Sequence, residues 1–517
     1  MNTELEDLKN QFEERIIELE MLKFKRDEVI IASFQLFEIK LDKFNKLTNV
    51  HPIWKREQIF DLQESLALII EWVYRYSDPE CMQTTSSYKI FSIIEEAFGI
   101  SSEYLNLEAS YKAVSQGMMK TSHRESCVNT INIDFISRDV AYFEAVNELI
   151  LTNNNNEKFS KMPEIKIRQM LSLGTYASTT VKSRMLKRLE VEFELPDDYI
   201  IGPYSIKQIK EIWANVMIKA FIQLMQNAKN YKTTPRLMQL LEMDKFIYKY
   251  STLQEVNGLL SDLTYIGNYK KINRKEKQIY SNFLTEPIVE INNKKLISPS
   301  IILNFQVSRN ILSTLNRIYG DNSHEQKGEQ FTKDLIKKAE EFPNLLYAKE
   351  VLIKKPTQTD VDFALFDKNT ETLLIFEIKW FNEPVTPVEI KSKDDEIEKA
   401  TTKQLPNYFK GILHNKTEFI YNAFGVKLRN PQNLNIYGFV LTKCTVGSGK
   451  INRNHFEVIN QKMLVKGLID SKGDLLELNR LLCNRAYFPK ENRDFIFAEN
   501  HVKVGDYVFI RDGYTIL

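Results

Sequence analysis

Apolar and polar residues alternate twice in quick succession in TDVDFALFDKNTETLLIFEIKW, from Thr359 to Trp380, on either side of a Lys368-Asn369-Thr370-Glu371 turn. That is the pattern of a β-hairpin. Asp362 opens the first run. Glu377 and Lys379 lie two apart in the second, so on a strand they leave one face while Phe376, Ile378 and Trp380 leave the other.

Before the hairpin the period is longer. Leu5, Leu8, Phe12, Leu19 and Leu22 recur at three- and four-residue steps among dense Glu and Lys, which predicts one long amphipathic helix over residues 1–48. Such a helix suits a coiled-coil arm for self-association or packing along its own domain; Arg15 and Arg26 interrupt the heptad. Residues 49–285 read as a helical domain, with segments at 58–76, 138–151, 164–173, 180–191, 205–228 and 234–250. Turn residues separate them at Ser77-Asp78-Pro79, Asn153–Asn156 and Leu195-Pro196-Asp197-Asp198. The texture changes at about 286. A strand pair turning at Asn292-Asn293, helices at 300–318 and 324–341, and strands at 345–353, 360–367 and 372–380 are expected. A helix at 394–413, a strand at 434–442, helices at 460–485 and strands at 495–511 and 514–517 across Asp512-Gly513 complete the prediction. The order predicts a large all-helical N-terminal region followed by an α/β domain over 286–517 with a mixed central sheet.

Composition narrows the function classes without choosing among them. A chain of 517 residues holds about three or four domains. Its 70 basic and 69 acidic side chains leave a net charge of +1, so contact with nucleic acid must come from local patches. Lys182, Arg184, Lys187 and Arg188 form one candidate, and Tyr269, Lys270, Lys271, Arg274, Lys275 and Lys277 a second; a solvated face is the alternative for each. The absence of a long apolar run or a signal-peptide pattern predicts a cytoplasmic protein with no membrane partner. Cys81, Cys127, Cys444 and Cys483 make no CxxC pair and are expected as buried thiols. His324, His414, His455 and His501 have no ligand spacing, and Gly447-Ser448-Gly449-Lys450 is too short for a P-loop.

Two acids and a lysine converging on one hairpin face suit a hard cation. Mg²⁺ or Mn²⁺ needs oxygen ligands and one or two carboxylates suffice, so Asp362 and Glu377, with the Ile378 carbonyl, are the candidate metal ligands. Lys379 would orient or deprotonate a water, which makes phosphodiester hydrolysis the matching reaction. An ordinary Glu377–Lys379 ion pair on a sheet is the competing reading.

Asp362, fourteen residues and then Glu377-Ile378-Lys379, within a helix, three-strand, helix, strand order, resembles the PD-(D/E)xK nuclease superfamily. The tripeptide pattern recurs at Glu164-Ile165-Lys166 and Glu389-Ile390-Lys391, but only the 377 copy ends an apolar strand with an Asp on its hairpin partner. The resemblance implies a restriction-endonuclease-like domain that cuts DNA with Mg²⁺ or Mn²⁺. It also implies an acid on the first core helix, Glu329 or its alternative Glu325. Gln404 and Tyr408 resemble the QxxxY element of the RecB-like branch, with Pro406 between them kinking or restarting the helix. Asp360, two before Asp362, is expected on the same strand face. A nuclease fused to a large helical module is similar to prokaryotic defence effectors, which implies a helical half that senses or restrains the nuclease and a regulatory protein partner. The alternative is a nucleic-acid-binding or protein-interaction module with a lapsed nuclease core.

Overall fold

The computed structural model describes residues 3–46, 52–122, 129–135, 175–193, 195–229, 237–239, 248–267, 270–271, 278–279, 283–304, 307–319, 323–353, 356, 358–381, 387–443, 447 and 456–517. The chain divides into two compact units. One holds Ala109–Phe159 and His324–Leu517, the other Thr3–Glu108 and Ser160–Ser323. The expected division at 286 therefore falls inside the second unit.

That second unit is predominantly helical rather than all-helical. The single helix expected over 1–48 is two, Thr3–Ile17 and Arg26–Lys46, joined through a short 3₁₀ turn at Glu20–Lys23. Leu19, Met21, Leu22 and Phe24 are all buried, and one helical stripe cannot bury residues so closely spaced, so the chain turns to do it. Buried Leu5, Leu8, Phe12 and Ile16 occupy the stripe that a coiled coil would need. The helix expected over 234–250 is not seen in its described part. Met238–Gln239 is a strand on Leu296–Ile297, at the edge of a four-stranded sheet that also contains the predicted Ile288–Ile291 and Lys294–Ile297 hairpin. Asn292 and Asn293 at its turn both have positive φ, as a two-residue hairpin loop requires. The helices expected at 138–151 and 164–173 lie outside the described residues.

In the first unit the order is β1 (Met119–Ser122), β2 (Thr130–Phe135), α1 (Ser323–Ala339), β3 (Leu345–Ile353), β4 (Thr359–Asp367), β5 (Thr372–Lys379), α2 (Pro387–Lys399), α3 (Leu405–His414), α4 (Lys416–Phe424), β6 (Asn435–Thr442), β7 (Glu457–Asn460), α5 (Gln461–Asp470), α6 (Leu475–Cys483), β8 (Phe495–Val504) and β9 (Tyr507–Ile516). Five strands form one mixed sheet in the order β3-β4-β5-β6-β7. The first three are an antiparallel meander, and β6 and β7 run parallel to β5. Phe363, Leu365, Phe376 and Phe439 cover one face with Phe331 and Leu335 of α1 and Leu464 and Leu478 of α5 and α6. Ala364, Phe366, Ile375 and Val440 cover the other with Ile397, Leu405, Ile412 and Ile420 of α2 to α4. Burial on both faces explains why these strands read as apolar runs.

A second sheet, β1-β2-β9-β8, closes the unit. Its hairpin turns at Gly505-Asp506, not at the expected Asp512-Gly513: Val504 pairs with Tyr507, and Gly505 has φ +61. Gly513 lies inside β9, paired with Ala498 of β8. Contrary to expectation, Cys483 is exposed at the last turn of α6 and Cys81 is half-buried. No helix among the described residues is long and apolar enough to cross a membrane.

Candidate functional site

Strand geometry alone brings three of the predicted residues together. The β4–β5 register runs from Asp367–Thr372 to Phe363–Phe376 and stops there. One step on, Asp362 stands opposite Glu377. In a regular ladder the Ile378 N–H would next meet the Val361 carbonyl; here it donates to Asp362 Oδ2 at 2.7 Å. A strand residue sends its N–H and C=O to the same neighbour, so the Ile378 carbonyl faces this gap as well.

The ladder ends because both outer strands change phase. Leu346 and Phe366 pack on the α2–α4 face, and so do Val351 and Val361, although Leu346 and Val351, like Val361 and Phe366, are five positions apart along their strand and regular alternation would put them on opposite faces. The reversal falls at Glu350 and Asp362, which face each other between the Lys349–Phe363 and Val351–Val361 pairs, and Glu350 has φ +52. Period-two reasoning therefore fails for Asp360: buried Val361 takes the α2–α4 face, and Asp360 is exposed. The signal in the sequence is Lys349-Glu350, two consecutive exposed polar residues between buried Ala348 and half-buried Val351.

Glu377 is 2% exposed, and burying a carboxylate demands partners. Lys379 Nζ supplies one at 2.6 Å to Oε1, and the Tyr408 hydroxyl donates to Oε2. Burial first, then the Glu377 charge, pushes Asp362 up to about 7, while the Ile378 N–H and Lys379 pull the other way. Burial first, then the charges of Asp362 and Glu377 and, least, that of Asp360, also push the Tyr408 phenol up, so that it remains a donor.

Tyr408 reaches Glu377 from α3. The helix expected over 394–413 is interrupted, as Pro406 foretold, by a π turn at Ala400–Gln404 between α2 and α3. Gln404 is half-buried and makes no hydrogen bond to the acids or to Lys379. Glu329 stands exposed on α1, the helix that also carries Glu325. No cluster of three or more His, Cys, Asp or Glu side chains able to hold a metal ion occurs among the described residues, so neither Glu329 nor Asp360 joins Asp362 and Glu377 in one. The site is thus a carboxyl pair, one lysine and one tyrosine. Two adjacent oxygen donors that repel each other fit one hard divalent cation with water completing its shell.

The basic clusters are more ordinary. Arg188 is engaged by Glu192 at 2.5 Å and by the Leu303 carbonyl at 2.8 Å. Lys270 and Lys271 form a short strand on Gln278–Ile279, and Tyr269, Arg274, Lys275 and Lys277 lie outside the described residues. No protein-family model, curated protein or solved structure matches this chain, so the resemblance to PD-(D/E)xK nucleases rests on these residues and this strand order.

Proposed function

We propose that the chain is a nuclease that hydrolyses DNA phosphodiester bonds with Mg²⁺ or Mn²⁺ on a restriction-endonuclease-like core. The observation that carries the reading is the meeting of Asp362, Glu377, Lys379 and Tyr408 where the β4–β5 ladder opens. Asp362 and Glu377 are the residues that would hold the cation, with the Ile378 carbonyl beside them. When bound, the cation supplies Lewis-acid polarisation of a phosphate oxygen. The Ile378 N–H fixes Asp362, and Tyr408 fixes the far oxygen of Glu377. Lys379 would orient the attacking water and offset the negative charge that builds on the phosphate. On this reading the helical unit and a protein partner regulate cutting, as in a defence effector.

The test is incubation of the full-length protein with supercoiled, linear and single-stranded DNA, and with RNA, in Mg²⁺ or Mn²⁺, beside Lys379→Ala. DNA cutting that falls by about 10² to 10⁴ in the variant is expected. Equal cutting by both proteins, or none by either, would sink the proposal. One observation favours the second reading, a non-catalytic binding module with a lapsed core: Lys379 and Tyr408 already occupy both Glu377 oxygens, as they would in a purely structural network. Binding of nucleic acid or protein without cutting is its outcome.

A further inference from the structure

We infer that the left-handed backbone of Glu350, not its side chain, is the positioning element that holds β4 off β5 and sets Asp362 against Glu377; only its consequence for cutting rests on the nuclease reading. Every other described non-glycine residue with positive φ lies in a turn: Asn129, Asn292, Asn293, Glu371, Lys472, Arg485 and Asn492. Glu350 alone among them lies inside a strand. A Cβ residue resists this conformation, and glutamate lacks the local hydrogen bonding that lets asparagine adopt it. Its side chain offers no compensation, being exposed and engaged in no hydrogen bond or ion pair among the described residues.

What the conformation achieves lies across the strand. The φ of +52 coincides with the step at which β3 changes phase, and β4 changes phase at the facing residue, so register is kept while both strands rotate. Rotation carries the Val361 carbonyl away from β5. The Ile378 N–H then needs another acceptor and takes the Asp362 carboxylate. If Glu350 became extended, the ladder would run on, Val361 would take Ile378, and Asp362 would lose the donor that fixes it.

Substitutions at 350 separate backbone from side chain. Glycine adopts the left-handed region freely, asparagine tolerates it, alanine resists it and valine resists it most. The readout is hydrogen exchange of the Ile378 amide in the full chain, with and without Asp362→Ala. In wild type, Glu350→Gly and Glu350→Asn, removing the carboxylate should speed exchange at least about tenfold, as expected for a lost hydrogen bond to a charged group. In Glu350→Val the Val361 carbonyl protects the amide, and Asp362→Ala should no longer matter. An equal response to Asp362→Ala in the Gly and Val backgrounds overturns the inference. Should Glu350→Val fail to fold by thermal melting, the series Gly, Asn, Ala decides: dependence on Asp362 falling in that order supports the assignment, and a flat series overturns it. DNA cutting should fall along the same series. Graded exchange with no cutting by any protein, wild type included, overturns the nuclease reading and leaves the Glu350 assignment standing.

Discussion

Glu38 in the helical unit and Glu377 in the sheet unit are both almost wholly buried, at 5% and 2% exposed, yet their neighbours differ in kind. Glu38 accepts only from neutral donors. They are the Ser298 hydroxyl, the Ser300 N–H at 2.9 Å and the Ser300 hydroxyl at 2.5 Å, which together tie Arg26–Lys46 to the start of Pro299–Asn304. Glu377 faces a cation, a phenol and a second carboxyl group. Neutral donors around a buried acid make a structural tie. A second acid beside it works against the fold, since two like charges cannot both ionise cheaply out of water. Such a pair persists where something other than stability keeps it.

The largest expected difference follows from that contrast. Glu38→Ala leaves two hydroxyls and an N–H without their acceptor, and should destabilise the protein by roughly 3 kcal/mol. Glu377→Gln removes the repulsion with Asp362 and keeps hydrogen-bonding oxygen and nitrogen, so the melting temperature should hold or rise while cutting is lost. Thermal melting of the two variants beside wild type checks both halves. A loss in Glu377→Gln as large as in Glu38→Ala would make Glu377 a structural tie and favour the lapsed-core reading.

The same contrast shows what the sequence could reveal. Period-two alternation and the four-residue turn placed Asp362, Glu377 and Lys379 on one hairpin, because a strand carries its face along with its residues. Pro406 announced the broken helix before Tyr408. Other features depend on partners far along the chain. Met238–Gln239 is a strand because it pairs with Leu296–Ile297, and Glu38 finds Ser298 and Ser300 some 260 residues away. The strand turn after Val504 was masked by Asp512-Gly513, which looks more like a hairpin loop, although Gly513 pairs with Ala498 inside the strand. The phase reversal at Glu350 was hardest to read, since nothing in a glutamate signals positive φ.

A smaller effect should appear on changing pH. Asp362 is raised from 3.8 to about 7 in the folded chain, so between these values the folded state holds a proton that the unfolded state has lost. The stability this contributes is whole below about pH 4 and disappears as pH rises to about 7. Wild type should therefore lose melting temperature across that window relative to Asp362→Asn, and the two curves should run parallel above it. Added Mg²⁺ at pH 8 should restore part of the loss in wild type and none in Asp362→Asn. Curves that stay parallel throughout would remove the carboxyl repulsion from the comparison.

The smallest expected effect belongs to Asp360. It is only two residues from Asp362 and carries the same charge, so regular alternation would make it a neighbour of Glu377 and a contributor to the site. The reversal gives that face to Val361 and leaves Asp360 exposed. Asp360→Asn should then change stability by no more than about 0.5 kcal/mol, as surface substitutions do. Cutting at saturating Mg²⁺ should stay within about twofold, a free-energy difference near 0.4 kcal/mol. Side-by-side rates for Asp360→Asn and Asp362→Asn measure how sharply the strand discriminates between two aspartates two residues apart. Comparable losses in both would mean that the pleat runs unbroken through Val361, and the distinction between a positioned and a merely adjacent acid would fail at the place where it is finest.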